Sequence, residues 1–223
     1  MTISDNPLLT DDQKRLLAHF RASSLCENFY LTGGTALSAF YLGHRLSEDL
    51  DFFSEESVEI GEVLGFVKSL PLAKEAEYER KYDRKIFLLR FSAPEVIKVE
   101  FTTYPFSRFE RGSVVEGIQI DSLKDILANK LAALTDRRDP KDYVDLYCAL
   151  KKYPELDLGQ LVRDAEVKFG VKGVEHILRG RFLEPTPSLG VLKMREELNK
   201  EEMARFFAQR ARDWIRRSTE EES

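Results

Sequence analysis

The residues best suited to chemistry in this 223-residue chain are two acids two positions apart, Asp49 and Asp51, and a glycine pair upstream, Gly33-Gly34. Side chains on a strand alternate faces, so a strand here aims both carboxylates one way and Leu50 into the core. Two such acids repel each other unless a cation sits between them. A hard divalent ion such as Mg²⁺ takes ligands of this kind, one or two carboxylates plus substrate phosphates. The glycines follow a short apolar run, Tyr30-Leu31-Thr32, and precede Thr35 and a helical run from Ala36 to Leu42. Backbone N–H groups at such a turn make a ready phosphate site, so Gly33, Gly34 and Thr35 are the candidate phosphate cradle. Alone, a glycine pair is usually a plain turn and Asp-x-Asp a solvated strand edge. A strand on each side and a helix between them make the combination specific for a metal–phosphate site. In the connection, His44-Arg45 is either solvated, or Arg45 reaches a triphosphate or orders the acids.

Two further stretches bear on the same chemistry. In Val96-Ile97-Lys98-Val99-Glu100-Phe101, Ile97, Val99 and Phe101 share one strand face, while Lys98, Glu100 and Thr102 share the other. Glu100 is then either a third metal ligand on a strand beside Asp49 and Asp51, or a half-exposed Glu paired with a Lys or Arg. The helix from Ser122 to Leu134 has the apolar stripe Leu123, Ile126, Leu127, Leu131 and Leu134, and Lys130 falls inside it. A lysine there either snorkels outward or meets an anion. The preferred reading aims Lys130 into a cleft, at nucleotide phosphate. Asp142 and Asp145 follow on one flank of the next helix, where Asp142 either serves the site or merely favours the helix dipole.

The stretch GGTALSAFYLGHRLSEDLDFF resembles the first motif of the AbiEii/AbiGii-type nucleotidyltransferase toxins, within the DNA polymerase β-like nucleotidyltransferase superfamily. A second stretch, with Lys130, Arg137, Lys141-Asp142 and Asp145-Leu146, resembles a later motif of that family, and the similarity runs to about residue 150. The resemblance implies a metal-dependent transfer of a nucleoside monophosphate from an NTP to an acceptor hydroxyl. Asp49, Asp51 and Glu100 would hold two Mg²⁺ ions, with Lys130 and Asp142 as the family's functional lysine and aspartate. It further implies an RNA acceptor such as the 3′ end of tRNA, growth arrest as the outcome, and a cognate antitoxin. A small hydroxylated molecule or a protein side chain as acceptor, or an inactive binding module of the same fold, are the alternatives.

The elements that must position these residues follow from local pattern. Helices are expected over Thr10–Ala22, Val58–Leu70, Pro140–Leu150, Leu158–Phe169, Val174–Leu178 and Leu192–Arg217. Strands are expected over Glu27–Thr32, Ala73–Lys81, Lys85–Phe91, Glu95–Tyr104 and Ile118–Ile120, with turns near Asp83 and at Ser92-Ala93-Pro94. Arg80, Lys81, Arg84 and Lys85 cluster at a hairpin, as a solvated turn or as contacts for polynucleotide phosphates. The expected architecture is α/β (α+β): a polymerase β-like core with a mixed, largely antiparallel sheet over residues 1–120, and an α-helical part over 121–223. Net charge is −5, which counts modestly against extensive duplex binding. Cys26 and Cys148 are expected as buried thiols in a reducing compartment, and no signal peptide or spanning segment is expected, so the expected location is cytoplasmic.

Overall fold

The structure is a computed structural model, and it describes residues 2–71, 75–91, 96–190 and 192–221. Local signals fix where most elements begin. The Thr10 hydroxyl accepts the Gln13 N–H while the Gln13 side chain accepts the Thr10 N–H, a reciprocal capping box that starts α1 (Asp11–Arg21). A helical turn, α2 (Leu25–Asn28), then leads into β1 (Tyr30–Thr32). The strand is thus shorter than Glu27–Thr32: Phe29 N–H donates to the Leu25 carbonyl, and Glu27 and Asn28 are poor strand formers. Next come α3 (Gly33–Ala36), which widens into a π-helix over Leu37–Leu42, and β2 (Leu50–Ser54). α4 (Ile60–Ser69) ends before Pro71. β3 (Glu75–Lys81), β4 (Arg84–Arg90) and β5 (Val96–Thr103) follow. The turn expected at Ser92-Ala93-Pro94 lies outside the described residues, as do Ala73 and Glu95 at the starts of two expected strands. β6 (Val114–Val115) and β7 (Ile118–Gln119) form a small ribbon.

The five-stranded sheet has the order β1-β2-β5-β4-β3. β2 and β5 are parallel and every other pair is antiparallel, so the sheet is mixed and largely antiparallel, as the sequence suggests. One sheet face is a phenylalanine core. Phe20 of α1 packs at 4.2 Å against Phe52 in a tilted pair, Phe52 stacks on Phe101 at 5.1 Å, and Phe66 of α4 meets Phe101 at 5.8 Å. Full burial of each such ring stabilises by roughly 1.5–3 kcal/mol, which holds β2 and β5 together beneath the residues on their opposite face.

The chain divides into two compact units, Met1–Ile126 and Leu127–Ser223, with the boundary inside α5 (Leu123–Asp136). The second unit is helical: α6 (Pro140–Lys152), α7 (Leu158–Phe169), α8 (Val174–Leu183) and α9 (Lys200–Glu221). Asp139 caps α6 by accepting the Lys141 N–H, with Pro140 in the first turn. Tyr143, Phe182, Phe207 and Trp214 form this unit's aromatic core, with Phe182 and Phe207 4.6 Å apart. The last helix begins at Lys200, not near Leu192, because the Asn199 side chain accepts the Glu202 N–H and caps it. Cys26 and Cys148 are not joined in a disulfide and are only partly buried, a correction to the expectation of buried thiols. Among the described residues no helix is long and apolar enough to cross a membrane.

Candidate functional site

The register of the sheet assembles the first cluster. Thr32 on β1 is opposite Asp51 on β2, and Asp51 is opposite Glu100 on β5, so all three share a face. Asp49 stands one position before β2, outside its paired register with β5. The glycine turn abuts these acids directly. Gly33 has φ +72°, and a Cβ there would come 2.2 Å from Asp51 Oδ2, so only glycine permits both the backbone and the carboxylate. A Cβ on Gly34 would come 2.5 Å from Nη2 of Arg45 and 3.2 Å from Oγ of Ser47. Arg45 is therefore neither solvated nor remote: it is 2% exposed, and its guanidinium lies against the Gly34 backbone.

Hydroxyl groups tie the turn to the acids. Thr35 Oγ1 donates to the Asp49 carbonyl, and Ser38 Oγ donates to the Arg45 carbonyl. The π-helix ends at Gly43, whose N–H donates to the Ser38 carbonyl at 2.9 Å in a left-handed conformation. Thr32 Oγ1 donates at 2.7 Å to the buried Asp121, and the Tyr41 hydroxyl donates to the Asp121 carbonyl. Asp121 is a positioning group that sequence reasoning missed; nothing in its local pattern marks it, because its partners lie 80 and 89 residues away.

Glu100 lies on the strand beside Asp51, and its carboxylate is engaged. Arg84 Nε and Nη2 donate to its two oxygens at 2.5 Å, and the Thr102 hydroxyl donates at 2.8 Å. Burial pushes the Glu100 carboxyl up, but the hydrogen bonds from Arg84 and Thr102 outweigh it and hold the group below the usual carboxylate range. Lys98 Nζ lies 3.6 Å from Asp49 Oδ2 and 3.5 Å from Glu100 Oε2. Burial pulls the Lys98 ammonium down, while Asp51, Asp49 and Glu100 together raise it above its ordinary value. Of the basic hairpin, Arg84 is thus committed to Glu100. Among the described residues no three carboxylate, histidine or cysteine side chains converge on a metal position. Asp49 and Asp51 are hard oxygen donors that suit Mg²⁺ when substrate phosphates complete its shell. The Lys98 ammonium already stands as a cation at this cluster.

The second unit carries its own cluster. Lys130 Nζ is 2.8 Å from Asp142 Oδ1 and 2.7 Å from Asp145 Oδ2, and Arg137 Nε is 2.9 Å from Asp142 Oδ2. Both aspartates have no solvent exposure. Lys130 therefore does not snorkel, and the anions it meets in this structure are Asp142 and Asp145. Burial pulls the Lys130 ammonium down, yet Asp145 and Asp142 raise it above its ordinary value, so it stays charged. The structure brings together Lys130, Arg137, Asp142 and Asp145 of the later motif. Asp145 enters as a full partner, a role its position three residues after Asp142 on a helix hints at.

Comparison with known proteins places this geometry. The family described as "Nucleotidyl transferase AbiEii toxin, Type IV TA system" matches residues 15–220. An uncharacterized protein of Aquifex aeolicus is 32% identical over 165 residues, covering 72% of this chain and 76% of that protein. Among solved structures, a Helicobacter pylori protein has a TM-score of 0.63 at 21% identity, covering 96% of this chain and 99% of its own. MenT4, a nucleotidyltransferase toxin from Mycobacterium tuberculosis, has a TM-score of 0.56 at 16% identity, covering 94% and 87%. At these identities the two structures show a shared fold.

Proposed function

The chain belongs to the AbiEii family of nucleotidyltransferase toxins, and from that premise we propose that it transfers a nucleoside monophosphate from an NTP to the 3′ hydroxyl of an RNA, tRNA foremost. The observation that carries the proposal is the abutment of the glycine turn on Asp51, where the missing Gly33 side chain is the space the carboxylate fills. A phosphate cradle and an acid pair in contact suit a triphosphate held by a divalent ion.

In this reading Gly33, Gly34 and Thr35 offer the β- and γ-phosphates a backbone surface free of bulky side chains. Arg45 adds positive charge from beneath Gly34, and Thr35 fixes the backbone at Asp49. Asp49 and Asp51 would hold Mg²⁺, which supplies activation of the attacking hydroxyl and neutralises the charge that develops on the phosphates. Glu100 would join them as a third ligand either beside its bonds from Arg84 or in exchange for one of them. The acceptor oxygen bonds to the α-phosphorus, the bond from that phosphorus to the bridging oxygen breaks, and pyrophosphate leaves as the hydroxyl proton is lost. Lys130 and Asp142 are assigned to the same reaction on the strength of the family motif, with Arg137 and Asp145 holding them in place. A toxin of this kind acts on cytoplasmic RNA and is held in check by a cognate antitoxin.

The test is to incubate the protein with each α-labelled NTP and Mg²⁺, offering total RNA, protein and small hydroxylated acceptors in parallel. Label on RNA 3′ ends, lost with EDTA and with Asp51→Asn at an almost unchanged melting temperature, is the expected result. Label on protein or on a small molecule replaces the acceptor. Full transfer by Asp51→Asn at saturating Mg²⁺ removes the metal assignment.

A further inference from the structure

The two lysines at the acid clusters are held differently. Lys130 closes on its two carboxylates at 2.7 and 2.8 Å with its side chain 11% exposed. Lys98 spans Asp49 and Glu100 at 3.6 and 3.5 Å, closing on neither, with its side chain 30% exposed. That is the geometry of a shared counter-ion. Its unbranched stem leads from β5 toward solvent, so the ammonium can leave without unpacking the sheet.

Electrostatics gives the position a purpose. Asp51 and Glu100 are neighbours on adjacent strands, Asp49 stands just before β2, and Arg84 neutralises Glu100 from β4. Without metal, Lys98 supplies positive charge to Asp49 at 3.6 Å from the same strand as Glu100.

We propose that Lys98 is a resident counter-ion for the metal site: it occupies the cation's place when no metal is bound, and a divalent ion must displace it to bind. The proposal rests on the metal reading of Asp49 and Asp51. Lysine then keeps the acid pair ordered and makes metal binding weaker than the bare carboxylates would give. A displaced ammonium is also left beside the ion, where the nucleotide's phosphates can receive it.

Mn²⁺ titration without nucleotide, followed by electron paramagnetic resonance of the free ion and by thermal melting, tests this. Lys98→Met should bind Mn²⁺ roughly tenfold more tightly than the parent, as expected for removing one competing charge at contact range in a half-exposed site. Its metal-free melting temperature should fall and Mn²⁺ should restore it. Lys98→Arg, which keeps the charge, should bind no more tightly than the parent, and Lys68→Met, on the exposed side of α4, should match the parent. Equal or weaker Mn²⁺ binding by Lys98→Met overturns the displacement. Binding by neither protein refutes the metal reading, and the inference with it.

Discussion

Replacing Lys130 with methionine is the sharpest test of the second unit. The substitution preserves most of the side-chain volume inside an apolar helix stripe, so a lysine that merely reached for solvent would be replaced at a gain. The structure requires the opposite. Lys130 Nζ is in ion-pair contact with two carboxylates that have no solvent exposure, Asp142 at 2.8 Å and Asp145 at 2.7 Å. Breaking a buried pair by removing one partner costs about 3–5 kcal/mol, because the remaining charge stays desolvated. Arg137 still reaches Asp142, which places the cost toward the lower end, whereas Asp145 loses its 2.7 Å contact. For a chain of this size each kcal/mol moves the melting temperature by about 2–4 °C, so Lys130→Met should melt roughly 6–20 °C lower. Adding Asp145→Asn should recover part of that loss, and the double-mutant cycle isolates the coupling. The assay is thermal melting by circular dichroism on the parent, both single variants and the double. A melting temperature unchanged or raised in Lys130→Met would show that the ion pairs do not stabilise the charged aspartates, and the reasoning would fail.

Two further outcomes follow from the first unit. Gly33→Ala should lose nucleotide transfer almost entirely while lowering stability by about 1–3 kcal/mol, since the new Cβ would meet Asp51 Oδ2 at 2.2 Å on a backbone with φ +72°; near-normal transfer would show that the turn and the acid act independently. Glu100 titrates below the ordinary carboxylate value of 4.5 in the folded protein, so its stabilising contribution is present above that pH and is lost as pH falls through the folded value. Glu100→Gln should therefore be less stable than the parent near neutrality and converge with it in acid, as read by melting against pH, and a constant gap down to the acid limit would contradict the assignment.

Legibility tracked the range over which each feature is decided. The Thr10 capping box and the Asp139-Pro140 helix start are settled within four residues, and both appear where the sequence puts them. Asp51 and Glu100 owe their common face to strand period and register, whereas Asp49 stands just before β2. Lys98 was placed beside Glu100 by the same alternation, but nothing local said that its ammonium would bridge to Asp49 on another strand. Arg45 looked like a loop residue because the space under Gly34 exists only after the chain folds back. The partners of Lys130 lie 12 and 15 residues on, across a helix turn whose angle no local pattern gives. The charged run before α9 has a helical pattern, and the choice of its start falls to a single asparagine side chain.

The parallel pairing of β2 with β5 has a consequence for how the sheet is made. β3, β4 and β5 run antiparallel in chain order, whereas β2 must find β5 across an excursion of about fifty residues, whose closure is entropically more expensive. Contacts of long sequence separation are the ones that slow folding. The two strands that carry the acids are therefore joined by the sheet's most costly pairing. β5 carries its own lysine beside Glu100, and Arg84 pairs with Glu100 across the shorter β4–β5 connection. A chain that pairs β4 with β5 before β2 would thus bring Asp51 to a strand that already carries positive charge.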